Sequence, residues 1–133
     1  MNYLLDTHIL LWFLSEERHS KFSQKSIDIL LDERNELYFS VVSIWEMAIK
    51  YSLGKPDFDY DPQEILQELL RQGFKQLDMN VQHIFSMMHL PSIHRDPFDR
   101  LLIAQAQVEK LQFFTADQAI LNYTLTNIIN VQE

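Results

Sequence analysis

Five carboxylates stand where an α/β chain gathers its ligands. Asp6 directly follows the apolar triplet Tyr3-Leu4-Leu5, Glu46 lies in the first turns of the helical pattern after Leu37-Tyr38-Phe39, Asp96 and Asp99 open a later helical pattern, and Asp117 follows the short run 111–115. Each has an ordinary structural use. Asp6 and Asp117 suit helix N-caps, worth about 0.5–2 kcal/mol each. Glu46 lies three residues after Ser43, the spacing of a capping box. Asp96-Pro97-Phe98-Asp99 reads as a cap, a first-turn proline and an acid favoured by the helix dipole. Two features point beyond these uses. Asp6 interrupts an otherwise apolar segment, where an unpaired carboxylate is costly. All five acids are also predicted at one end of one sheet. Carboxylates gathered there repel one another and stay ionised together only beside a cation. Oxygen donors suit a hard divalent ion, Mg²⁺ or Mn²⁺. Such a centre activates water and clamps the oxygens of an in-line phosphoryl displacement, so a metal nuclease is reachable from this layout.

The elements that must position these acids alternate along the chain. Apolar runs predict strands at 3–5, 37–39, 74–77, 111–115 and 127–131. Helical spacing predicts helices at 8–14, 24–33, 43–52, 62–72, from an Asn80 cap to 89, at 98–110 opened by Pro97, and at 117–122. Leu53-Gly54-Lys55-Pro56 and Gly73 are stop signals for two of them. Strands alternating with helices predict an α/β sandwich with a mainly parallel sheet. In such a sheet ligands bind at the carboxyl ends of the strands, near a topological switch point.

Composition sets the bounds. The 133 residues fit one domain, 1–133, and a 47% hydrophobic content with 16 aromatics (nine Phe, five Tyr, two Trp) supports a real core. Cysteine is absent, which excludes disulfides and thiolate metal sites. No basic, then apolar leader is visible, and the apolar run near the N-terminus falls far short of the ~20 residues of a membrane span, so a soluble cytoplasmic protein is expected. A net charge of −8 argues against wrapping nucleic acid in Lys and Arg. The acid excess is local, however. Asp57, Asp59, Asp61, Glu64 and Glu68 form one stretch with no Lys or Arg. With these and the five clustered acids set aside, 11 basic residues face nine acidic ones.

Four blocks carry a resemblance to a known family. They are Leu4-Leu5-Asp6-Thr7-His8-Ile9-Leu10-Leu11-Trp12, Val42-Ser43-Ile44-Trp45-Glu46-Met47-Ala48-Ile49-Lys50, the stretch from His94-Arg95-Asp96-Pro97-Phe98-Asp99-Arg100 through Ala106, and Phe114-Thr115-Ala116-Asp117. In order, they resemble the blocks of a PIN domain, and most nearly the VapC-type toxins of bacterial toxin–antitoxin pairs with an Arg-Asp-Pro-Phe-Asp-Arg motif. The resemblance covers nearly the whole chain. It implies a PIN-like three-layer α/β/α sandwich with a short, mainly parallel central sheet, and a Mg²⁺-dependent ribonuclease. The family's four acids map onto Asp6, Glu46, Asp99 and Asp117, as metal-holding and catalytic groups. Asp96 is an extra acid, either a cap or a supporting group. Gln118 and Ile93 depart from residues common in relatives, a basic residue and a second His, without touching the acids.

The resemblance further implies hydrolysis of an RNA phosphodiester to a 5′-phosphate and a 3′-hydroxyl, a VapB-like antitoxin partner and a homodimer. Thr7 and Ser43 are candidates to orient carboxylates or water, against simple capping. Arg100, Arg95 and His94 are candidates for RNA contact; Lys50 is a further candidate for phosphate, although it reads first as an ion pair or helix-end contact. His8 borders the expected cleft. Trp12, Phe13, Trp45 and Met87-Met88 read as core or interface. Two other classes compete: a non-catalytic PIN-like binding module, and a receiver-type Mg²⁺-binding phosphoacceptor domain. The receiver reading wants paired acids after the first strand and a late Lys, which Asp6-Thr7-His8 and Lys110 do not supply.

Overall fold

The structure is a computed structural model describing residues 1–92 and 94–133; Ile93, one of the two departures noted above, lies outside the described residues. The strands are β1 (Asn2–Leu5), β2 (Glu36–Ser40), β3 (Lys75–Leu77), β4 (Gln112–Thr115) and β5 (Ile128–Asn130); β1 and β4 are apolar and buried on both faces, as central parallel strands are, while the edge strand β3 is largely exposed. They form one five-stranded, all-parallel sheet in the order β3-β2-β1-β4-β5. The chain builds outward from β1 to β3, then returns to β4 on the other side of β1. The switch point therefore falls between β1 and β4, where Leu5 pairs with Phe114.

The helices are α1 (Thr7–Leu14), α2 (Gln24–Leu31), α3 (Val41–Ser52), α4 (Pro62–Arg71), α5 (Val81–Met88), α6 (Pro97–Val108) and α7 (Gln118–Leu121). Alternation along β1 divides them between two faces. Tyr3 and Leu5 face a core with Ile9 and Leu10 of α1, Leu30 of α2 and Leu69 of α4. Leu4 faces a second core with Leu102, Ile103 and Ala106 of α6 and Ile120 of α7. Helix α3 serves both, through Met47 and Val42. The result is the expected three-layer α/β/α sandwich.

Helix α6 buries every residue from Leu101 to Ala106, so it is held on all sides. Within that run, Gln105 accepts from the Ser40 hydroxyl (2.5 Å) and lies 3.3 Å from His83 Nδ1, tying α6 to the end of β2 and to α5. A satisfied buried network of this kind fixes one arrangement of the core. An acid at the start of α6 thus rests on one of the most firmly packed elements in the molecule.

Boundaries moved where hydrogen bonds outweighed sequence pattern. Helix α3 starts at Val41, capped by the Ser40 hydroxyl, so Ser43 lies inside the helix and is not the cap of a box with Glu46. A 3-10 helix at Glu16–Lys21 carries no strong periodicity and was not expected. Helix α6 ends at Val108 rather than 110, because Lys110 adopts a left-handed conformation (φ 58°) and closes a Schellman motif through Leu111 N to Ala106 O (2.8 Å). Gly73 (φ 91°) closes the same motif after α4, through Phe74 N to Leu69 O (3.0 Å). A Cβ at Gly73 would meet nothing within 4 Å, so only conformation opposes a side chain there. Gly73→Ala is expected to cost about 1–2 kcal/mol, the left-handed penalty of a residue with a Cβ. Lys110→Gly, which removes that penalty, is expected to be neutral or stabilising. Urea unfolding of the two variants checks both.

Candidate active site

A cleft of about 200 Å³ opens at the carboxyl ends of β1 and β4, and all five predicted acids line it, with Thr7, His8, Leu11, Lys50 and Phe58. Asp6 and Asp117 follow the two strands that flank the switch point. Glu46 reaches the cleft from α3, and Asp96 and Asp99 reach it from the N-terminal end of α6. Pairing of β1 with β4 brings Asp6 and Asp117 together across 111 positions, and the packing of α3 and α6 against the sheet adds the other three acids.

Asp6 is 1% exposed. Its Oδ1 accepts from the Thr7 amide (2.8 Å) and its Oδ2 from the Thr115 hydroxyl (2.7 Å), while its own amide donates to Phe114 O (2.9 Å). Burial pushes its carboxyl up to about 7, against the lowering effect of Thr115 and Thr7 and with help from Glu46 and Asp117. His8 Nδ1 lies 3.4 Å from Asp6 Oδ2, but burial pushes its imidazole down, so it adds no positive charge at neutral pH. The Thr7 hydroxyl donates to Ser43 Oγ (2.8 Å), joining the start of α1 to α3 beside the acids.

Asp99 is pushed up as well, by burial first, then by Asp6 and Asp96, with the His94 hydrogen bond opposing. His94 Nε2 lies 2.6 Å from Asp99 Oδ2 and 3.9 Å from Asp117 Oδ2. His94 is thereby joined to the acid cluster. Asp117 spends Oδ1 on capping α7, accepting from Ala119 N (2.8 Å), and leaves Oδ2 toward His94. Asp96 caps α6, accepting from Phe98 N (2.8 Å) and Asp99 N (3.3 Å), while also lining the cleft.

The basic candidates divide differently from expectation. Arg100 does not line the cleft. Its guanidinium donates to the carbonyls of Met87 (3.0 Å), Leu90 (3.4 Å), Pro91 (2.9 Å) and His94 (3.4 Å) and to the Tyr123 hydroxyl (3.3 Å). This planar, five-donor group pins the loop that presents His94. Arg95 is exposed and does not line the cleft. Lys50 does, with Nζ 3.0 Å from Glu46 Oε2. Thr115 stood in the last block of the sequence reading with no role assigned to it. Its only signal was a hydroxyl two residues before Asp117, and its partner Asp6 lies 109 residues away.

One atom reports on what this cleft would hold. Glu46 Oε1 is buried with no hydrogen-bond partner, alone in this among the described residues. A desolvated carboxylate oxygen without a donor is strongly disfavoured unless a cation meets it. The surrounding donors are carboxylates, and His94, Asp99 and Asp117 each offer one ligand atom within 4.8 Å of the others. Oxygen-rich donors of this kind suit a hard divalent cation, and among the described residues the three within reach of one another are on His94, Asp99 and Asp117, with Asp6 and Glu46 lining the same cleft.

The raised carboxyls make stability depend on pH with a defined sign. The folded protein keeps protons on Asp6 and Asp99 that the unfolded chain releases near 3.8. Their contribution is complete below that value and is lost as pH rises through about 7. In EDTA, the melting temperature is therefore expected to fall from pH 4 to pH 7, and Asp6→Asn to flatten that fall. Differential scanning calorimetry across this range checks it.

Comparison with known proteins agrees with this architecture. A family model described as the PIN domain matches residues 3–124. No curated protein matches the chain. Among solved structures, the fold is similar to VapBC2 from Rickettsia felis bound to a promoter DNA fragment, at TM-score 0.67 and 17% identity over 97% of this chain and 96% of that one. It is also similar to a toxin–antitoxin complex from Klebsiella pneumoniae (TM-score 0.60, 15% identity, 96% of each chain). A third is VapBC-1 from nontypeable Haemophilus influenzae (TM-score 0.57, 18% identity, 92% of this chain and 94% of that one). With the family model spanning nearly all of the sandwich and its acid cleft, the chain belongs to the PIN-domain family.

Proposed function

We propose that this PIN domain is a Mg²⁺-dependent endoribonuclease, with Mn²⁺ as an alternative ion, and the toxin of a toxin–antitoxin pair. The observation that carries the reading is the unpartnered, buried Glu46 Oε1 among five carboxylates at the switch point. Family membership replaces the receiver-type reading, and the similar solved structures being toxin–antitoxin complexes supports the toxin role.

In this reading Asp6, Glu46, Asp99 and Asp117 hold the ion. When bound, Mg²⁺ supplies a water reactive at neutral pH and neutralises charge on the phosphate oxygens of an in-line displacement. The chain's own groups prepare the site. Thr115 and the Thr7 amide fix both oxygens of Asp6, the Thr7–Ser43 bond fixes α1 against α3, and His94 orients Asp99. Water attacks phosphorus, the bond to the 3′-oxygen breaks, and that oxygen takes up a proton, leaving a 5′-phosphate and a 3′-hydroxyl.

The partners follow the same logic. A VapB-like antitoxin would lay an apolar peptide over the N-terminal helices and send a basic side chain into the acids. A hollow of about 80 Å³ lined by Phe13, Phe22, Ile27, Leu30 and Leu31 supports that placement. A homodimer fits the exposed Phe85 and Met88 of α5. No helix among the described residues is long and apolar enough to cross a membrane. A cytoplasmic location is part of the proposed toxin reading.

Asp6→Asn and Asp99→Asn, folded by circular dichroism, are expected to lose cleavage of RNA in Mg²⁺ by more than the roughly 10–100-fold typical of an outer-shell partner. Thr115→Val is expected to fall within that range. RNA affinity is expected to drop sharply in EDTA. Gel analysis of end-labelled RNA reads the cleavage, and full activity in either Asn variant overturns the assignment.

A further inference from the structure

We propose that Lys50 is the residue that takes the RNA phosphate at the cleft, exchanging its contact with Glu46 for a non-bridging phosphate oxygen when substrate enters. The inference rests on the nuclease reading above. A polyanion approaching five carboxylates needs a positive group at the point of entry. Among the residues that line the cleft, Lys50 is the one Lys or Arg. Arg100, the better candidate from sequence, has its guanidinium committed to loop carbonyls and to Tyr123. Arg95 is exposed outside the cleft lining.

The setting of Lys50 differs from that of an ordinary i,i+4 surface pair, which joins two solvated side chains for about 0.3–0.5 kcal/mol. Here the two partners are unequal. The Glu46 side chain is 9% exposed and the Lys50 side chain 48%. Nζ lies 3.0 Å from Glu46 Oε2 and 5.8 Å from the centroid of the Phe58 ring. The ammonium is thus held between a buried carboxylate and an aromatic face, at the mouth of the cleft, with half its side chain open to water. A phosphate arriving there brings a second anion within reach of a flexible four-carbon stem carrying a point charge, which is how lysine binds phosphate. Glu46, meanwhile, is the group the proposed cation would satisfy from within.

The test uses the full chain, a short fluorescein-labelled single-stranded RNA, and Ca²⁺ in place of Mg²⁺ to slow cleavage. Anisotropy titrations across a range of KCl give both the Kd and its salt slope. Lys50→Met is expected to weaken Kd about tenfold and to flatten the slope of log Kd against log salt by about 0.7, the loss of one phosphate contact on a single strand. Lys50→Arg is expected to restore both. Mn²⁺ affinity, read by electron paramagnetic resonance, is expected to stay equal or tighten in Lys50→Met, since its Glu46 no longer shares its charge. A Lys50→Met protein with wild-type affinity and slope overturns the proposal and leaves the nuclease reading standing. Weaker RNA binding that tracks weaker Mn²⁺ binding also overturns it, by making Lys50 a support of the ion site. Wild-type protein that binds no RNA in Ca²⁺ overturns the nuclease reading and this inference with it.

Discussion

Asp6 is a carboxyl group held almost wholly out of water at the point where the sheet changes direction, and the rest of the site is arranged around that constraint. Removing a carboxylate from water is costly, and the cost rises when others join it in the same cleft. The fold meets part of it with hydrogen bonds from Thr7 and Thr115 and leaves part as protons held on Asp6 and Asp99 to unusually high pH. A cation in the proposed site would compete with these protons, so its affinity is expected to rise from acid to neutral pH.

Capping and ion binding are compatible uses of these acids, because a carboxylate has two oxygens. Asp117 caps α7 with Oδ1 and turns Oδ2 toward His94. Asp6 accepts from the Thr7 amide at the start of α1 with one oxygen and from Thr115 with the other. Helix starts are placed by strand ends in a parallel sheet, so the capping positions of several helices converge on one edge. The same geometry that satisfies helix termini thereby gathers acids, and the cap holds each one still.

Arginine and lysine divide the remaining work by their chemistry. The rigid fork of Arg100 satisfies several carbonyls at once and fixes the loop that carries His94. The flexible point charge of Lys50 stays at the mouth, beside a carboxylate it neutralises. The acidic excess of the chain is likewise divided, between a cleft suited to cations and the stretch from Asp57 to Glu68. The net charge of −8 therefore describes two local features rather than a uniform repellent surface.

Much of this was legible in the sequence. Strands were readable because Tyr3-Leu4-Leu5 and Phe113-Phe114 are apolar on both faces, helices because Pro62, Asn80, Gly73 and Pro97 mark their ends, and four of the acids because they fall at a strand end or helix start, with Glu46 in the second turn of α3. These are local signals, carried by neighbours in the chain. What only the tertiary structure decided depends on contacts between distant residues: Thr115 donating to Asp6, Ser43 meeting Thr7, His94 joining Asp99 and Asp117, and Arg100 turning to loop carbonyls. Lys110 in a left-handed turn and Ser40 as the cap of α3 were hidden for a related reason. A side chain's partner is set by which competing hydrogen bonds packing brings within about 3 Å, and sequence order does not encode that competition.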